Sequence, residues 1–201
     1  MEGAFFYWFL WMGWIITTFL VRKNDPNRFR LSAFFLLAIV FSEINVPFLG
    51  FTLNGTFIFL YVMGFVYLAN TFNEKWMYLW ITSLIVTLSY NGYLFLQLVD
   101  PVWMIFHPQW MLAAFIFALT MIVYSDCTKS RMLSGLLGMM QGEVMFQLLL
   151  AKWGFSSQIG THYVLDMICM FSFLHLVWKG LENLSYIIDT AWLRKERGKE
   201  G

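Results

Sequence analysis

The segment LSAFFLLAIVFSEINVPFLG, residues 31–50, opens as an unbroken apolar run and then places Glu43, Asn45 and Pro47 within five residues. Its first half reads as the start of a membrane helix. An acid, an amide and a helix breaker follow where the chain should be uniformly apolar. How this segment crosses the bilayer decides the number of spans and the height of every later polar residue.

The surrounding composition sets the context. The 201 residues are 60% hydrophobic and 20% aromatic, with only 12% charged. A soluble domain is nearer a quarter charged, so this is the composition of a polytopic membrane protein, with no nucleic-acid partner or cofactor expected. Cys127 and Cys169 are too few for a disulfide framework and read as reduced thiols, without CxxC or Cys/His zinc spacing. The opening MEGAFFYWFL lacks a basic region ahead of its apolar run, and RKNDPNRFR follows it instead. That order predicts a retained first helix rather than a cleaved signal peptide.

Spanning the hydrocarbon core takes about 20 apolar residues. Stretches at 3–21, 31–48, 55–72, 76–98, 109–125, 132–151 and 161–180 qualify, separated by polar or Pro/Gly punctuation. The fold class is therefore all-α: a polytopic bundle of seven transmembrane helices. The basic residues test the count, because they favour cytoplasmic loops. Seven spans put twelve of the thirteen Lys and Arg on one side and leave Lys152 alone on the other. The N-terminus is thus expected outside and the C-terminus in the cytoplasm. Residues 1–181 form the membrane domain in this reading, and 182–201 a cytoplasmic amphipathic and basic tail. Leu181, Leu184, Ile188 and Trp192 keep helical spacing there. The tail reads either as the last helix bending along the inner surface near headgroups or as a frayed end.

At about 1.5 Å per residue, Glu43 lies roughly 18 Å up the second span. Glu143 reaches nearly the same height on the sixth, Asn91 lies fifteen residues up the fourth, and His162 and Asp166 are near the outer end of the seventh. Charges at this depth are costly and normally face protein or water. Three acids with no intramembrane Lys or Arg are the anomaly of the sequence, and low dielectric favours neutral, hydrogen-bonded acids able to exchange a proton. Pro47 removes the hydrogen bond to the carbonyl of Glu43, so a kink is expected beside that acid. Irregular backbone at this depth calls for surrounding protein or a watery cavity.

One reading is an outward pocket lined by Glu43, Asn91, Glu143, Gln147, His162 and Asp166. The other is a set of interhelical hydrogen bonds holding the bundle together. The three acids point to function, whereas Asn91 and Gln147 alone point to packing. In the sixth span Gly138 and Gly142 form a GxxxG pair with Gly135 on the same side, a close-packing face that could also serve a homodimer. Trp and Tyr near span ends, such as Trp8, Trp76, Trp103 and Trp178, read as interfacial belts.

Several chemistries lack their residues. Lys179 lies at the cytoplasmic end of the last span, not at its middle where a retinal lysine would sit. His162 and His175 are thirteen apart on different faces and His107 is in a loop, unlike the histidine sets of intramembrane zinc hydrolases. There is no Gly-x-Ser-x-Gly elbow, Walker loop or HExxH, and no rhomboid-like Ser/His pair.

The opening MEGAFFYWFLWMGW, the basic first loop leading into LSAFFLLAIV, and the total length resemble the YphA-type membrane proteins of Gram-positive, spore-forming bacteria. The resemblance implies a multi-pass plasma-membrane protein of an uncharacterised family and carries no functional residues across. Two functions are expected on the residues themselves. The first is binding or transport of a small polar solute, cation or proton through the acid-lined pocket. The second is a structural or regulatory membrane partner docking through the GxxxG face and basic tail. An enzyme acting on lipids comes third.

Overall fold

The computed structural model describes residues 2–71, 76–100, 102, 107–124, 128–155 and 158–197. Lys75, Trp103, Cys127 and Lys199 lie outside them, as does the side chain of Trp192. Seven helices dominate the described residues: α1 (Ala4–Ile15), α2 (Pro26–Phe41), α3 (Gly55–Thr71), α4 (Trp76–Val99), α5 (Pro108–Val123), α6 (Thr128–Lys152) and α7 (His162–Arg197). A π-helical segment, Ile16–Leu20, continues α1. Among the described residues, three helical stretches, Trp76–Val99, Thr128–Lys152 and His162–Ile188, are long and apolar enough to cross a membrane. Ala4–Leu20, Gly55–Asn70 and Pro108–Val123 are shorter apolar helices.

The decisive segment does not continue as a helix. Asp25 starts α2 by accepting a 2.9 Å hydrogen bond from the Asn27 amide, with Pro26 at the first helical position. The helix ends at Phe41, and Asn45–Phe48 form strand β1, antiparallel to β2 (Phe51–Asn54). Leu49 (φ 51°) and Gly50 (φ 85°) make the two-residue loop between them. Two successive left-handed residues are what a type I′ hairpin turn requires. β2 also pairs in parallel with β3 (Gln158–Ile159), which gives the order β1-β2-β3. β1 is therefore an edge strand, where the missing N–H of Pro47 is tolerated. The expected kink beside Glu43 is thus corrected: Pro47 ends no helix turn, because the helix has already stopped.

Asn54 explains the stop. Its buried amide donates to the Ser42 carbonyl at 2.8 Å, at the end of α2. Its Oδ1 accepts from the amides of Thr56 (2.9 Å) and Phe57 (3.4 Å), at the start of α3. Thr56 Oγ1 adds a 2.6 Å bond to the Ala38 carbonyl. One amide thus caps two helices, and hairpin formation satisfies backbone groups that a broken helix would expose.

The tightest seam runs between α4 and α6. A Cβ at Gly138 would lie 2.5 Å from Val86 and 2.8 Å from the Ser83 carbonyl, and one at Gly142 would lie 2.6 Å from the Tyr90 ring. At Gly135 it would meet Phe171 of α7 at 2.2 Å. The GxxxG face is consequently covered within the chain, which corrects its expected use as a docking surface: α4 already occupies it. Thr87 Oγ1 bonds the Gly138 carbonyl at 3.0 Å, and Ser83 Oγ bonds Gln141 Oε1 at 2.9 Å. Close approach and polar bonds replace the hydrophobic drive that lipid cannot supply. Around this seam lies the main core, including Leu112, Ile116, Met139, Met167 and Phe171.

Candidate functional site

The six candidate residues fall into two groups joined to different helices. The first gathers at the start of α1. Asp166 of α7 is buried, and its carboxylate accepts from the amides of Gly3 and Phe6, each at 2.7 Å. These are the N-cap and N3 positions of α1, which has no side-chain cap of its own. An acid from another helix therefore satisfies two orphan donors and faces the positive end of the α1 dipole. Gly3 adopts φ 88°, and a Cβ there would lie 2.7 Å from the His162 ring. Only glycine fits both the backbone and the space.

Tyr7, one turn into α1, links the next two candidates. Its hydroxyl donates to Glu43 Oε1 at 2.7 Å and lies 2.9 Å from Ser42 Oγ. Its ring meets His162 edge-on, with centroids 6.0 Å apart. Glu43 itself is exposed, in the turn after α2.

The second group lies on the α4–α6 seam. Glu143 is only 2% exposed. Its Oε2 accepts from the Tyr90 hydroxyl at 2.8 Å, and its Oε1 from Gln147 Nε2 at 2.9 Å. Asn91, next to Tyr90, donates to the carbonyls of Thr87 (2.8 Å) and Gly142 (3.2 Å), while its Oδ1 is buried without a partner. Among the described residues, no hydrogen bond joins this group to the Glu43–Tyr7–His162 group. Among the described residues, cavities also lie elsewhere. One of about 500 Å³ at the sheet end is lined by Leu49, Phe51, Phe155 and Gln158. The other, about 340 Å³, is an apolar groove between α3 and α6. None of the six candidates lines either one.

Sequence reasoning missed the hydroxyl partners, because it assigned tyrosines to interfacial belts. Depth could have found Tyr90, since it sits beside Asn91 at the height inferred for Glu143. It also counted Arg131 as a loop cation. Arg131 is instead buried: its guanidinium donates to the Tyr124 carbonyl at the end of α5 and lies 3.8 Å from Glu182 of α7. His175 is buried too, between Phe117 and Phe171, with Nδ1 at 3.1 Å from the Phe171 carbonyl. Among the described residues no group of three His, Cys, Asp or Glu could hold a metal ion.

Apolar helices with membrane-spanning length, held by glycine seams and internally satisfied acids, define an integral membrane protein. The chain belongs to the YphA-like integral membrane protein family, whose family model matches residues 2–201. The resemblance seen at the N-terminus thus extends over nearly the whole chain. A relative from Bacillus subtilis (strain 168), described as "Uncharacterized protein YphA", is 32% identical over 160 residues, covering 80% of this chain and 78% of its own. No solved structure matches.

Proposed function

We propose that the chain crosses the plasma membrane seven times, N-terminus outside, and serves as a structural or regulatory partner that presents the cytoplasmic end of α7 to another protein. The observation that carries this reading is the length and surface of α7. Its 36 residues run without a break from His162 to Arg197, about 54 Å at 1.5 Å per residue. The apolar stretch His162–Ile188 is 27 residues long and a crossing uses about 20 of them, so its last turns extend past the hydrocarbon core. In the remainder, Leu181, Leu184, Ile187 and Ile188 each keep half or more of their surface exposed. At roughly 100° per residue they form one stripe about 120° wide, the pattern of a helix face that packs on something. The topology draws support from the sheet. Pairing of β2 with β3 puts the α2–α3 and α6–α7 connections at one end, as four intervening crossings require, and that end is poor in basic residues.

The test is a photo-crosslinking side chain at position 184 in the full-length protein in its native membrane. A discrete protein adduct, lost when Ile188→Asp is added, is the expected result. Adducts to lipid alone would overturn the reading and lay the helix on the membrane surface instead. Single cysteines at positions 50 and 24 test the topology independently. Position 50 is expected to react with an impermeant maleimide on intact cells, and position 24 only after lysis.

Solute or proton binding is the second reading, favoured by Glu143. A buried carboxylate between a tyrosine and an amide, beside the unpartnered Asn91 Oδ1, is a site that movement of α4 against α6 would open. It calls for cation- or pH-dependent stability near neutrality that Glu143→Gln abolishes.

A further inference from the structure

We propose that the apolar groove between α2, α3 and α6 holds one acyl chain of an anionic glycerophospholipid, with its phosphate at Lys129. Phe34, Met63, Gly64, Met132 and Leu136 are among the residues that line it, and Lys129 and Tyr67 are its polar members. At Gly64 α3 approaches α6 so closely that a Cβ would lie 3.1 Å from Leu137. Leu68 clusters with Leu133 a turn further on, so α3 and α6 run antiparallel along the groove. Tyr67 and Lys129 therefore share one end of it, and the opposite end is wholly apolar. A cavity of about 340 Å³ is within the range of ligand sites.

Charge and length select the occupant. The only ion pair among the described residues joins Arg131 to Glu182, so exposed Lys129 has no carboxylate partner, and no acid lines the groove. Along α6 from Lys129 to Met140 the groove runs about 16 Å at 1.5 Å per residue. That is about half of a hydrocarbon core of about 30 Å. One leaflet's depth, apolar along its length and cationic at its headgroup end, matches a lipid acyl chain with an anionic headgroup. Juxtamembrane basic residues attract anionic lipids of the cytoplasmic leaflet. The leaflet rests on the topology proposed above; the groove and its lysine do not.

The purified full chain would be examined by native mass spectrometry with dioleoyl phosphatidylglycerol and dioleoyl phosphatidylcholine. Phosphatidylglycerol is expected to be retained about fivefold better, the effect of one lysine near a charged surface. Lys129→Gln should remove the preference and Lys129→Arg keep it, and because the residue is exposed, both variants should fold. Leu136→Trp, which fills the groove from a partly buried position, should release either lipid. Equal retention of the two lipids by the wild type, or a preference that survives Lys129→Gln, would overturn the proposal. So would a crosslinker at position 63 that captures a protein or a second copy of the chain rather than lipid. Labelling of a cysteine at 129 from outside the cell would overturn the leaflet alone and leave the lipid preference standing.

Discussion

Glu43 and Glu143 lie one hundred residues apart and were expected at nearly the same height, yet the structure treats them oppositely. Glu143 sits in an unbroken helix packed closely on α4, where a Cβ at Gly138 or Gly142 would collide with Val86 or Tyr90. Its oxygens are taken by Tyr90 and Gln147. Glu43 follows a helix that has ended; it is exposed and reaches back to a single tyrosine of α1. In this protein the surroundings of the two acids differ because one helix persists past its acid against a close neighbour and the other has already ended.

The largest effect is expected where the seam is forced apart. Gly138→Leu drives a side chain into Val86 and the Ser83 carbonyl, where backbone cannot yield. Overpacking costs about 1–3 kcal/mol and at times more, so most of the protein should be lost from the monodisperse peak in fluorescence-detected size exclusion. Recovery of a normal peak would mean that α4 and α6 are not clamped.

A middle effect is expected at Asp166. Asp166→Ala removes the cap of α1 and leaves two buried amides unpaired, at about 2 kcal/mol. A lowered midpoint in denaturant titration is the readout, and Asp166→Asn should recover part of it by keeping one acceptor. An unchanged midpoint would release Asp166 from its anchoring role and return it to the list of candidate ligand groups.

The smallest effect sharpens the pair itself. Glu143→Gln keeps the shape and an acceptor for Tyr90, so a change of about 1 kcal/mol is expected. A double-mutant cycle with Tyr90→Phe should show a coupling of about 0.6 kcal/mol, the average for membrane side-chain bonds. Glu43→Gln should leave the midpoint unchanged. Equal responses at both positions would mean that Glu43 and Glu143 are held alike.

Helix existence was legible because apolar runs and their punctuation are local properties. Among the described residues five of the seven helices fall close to the expected spans, while α7 starts as expected and runs on to Arg197; Gly138 and Gly142 read as a close-packing pair from spacing alone. The stop after Phe41 was harder to read. Pro47 suggested a kinked helix, but the pair Leu49-Gly50 and the double cap of Asn54 form a hairpin joint. The weight of that joint comes from the Ser42 carbonyl and Thr56 amide, which are brought together only once both helices stand side by side.

By itself the sequence determined the membrane class, the helical architecture and the family, because hydropathy, charge placement and residue identity need no partner to be read. Only the tertiary structure decided what each polar residue meets: Asp166 the start of α1, Glu143 the Tyr90 hydroxyl, Arg131 the end of α5, the glycine face α4. Hydrogen bonds act over about 3 Å, and which groups come that close depends on how the helices pack, a property that no single stretch of chain contains.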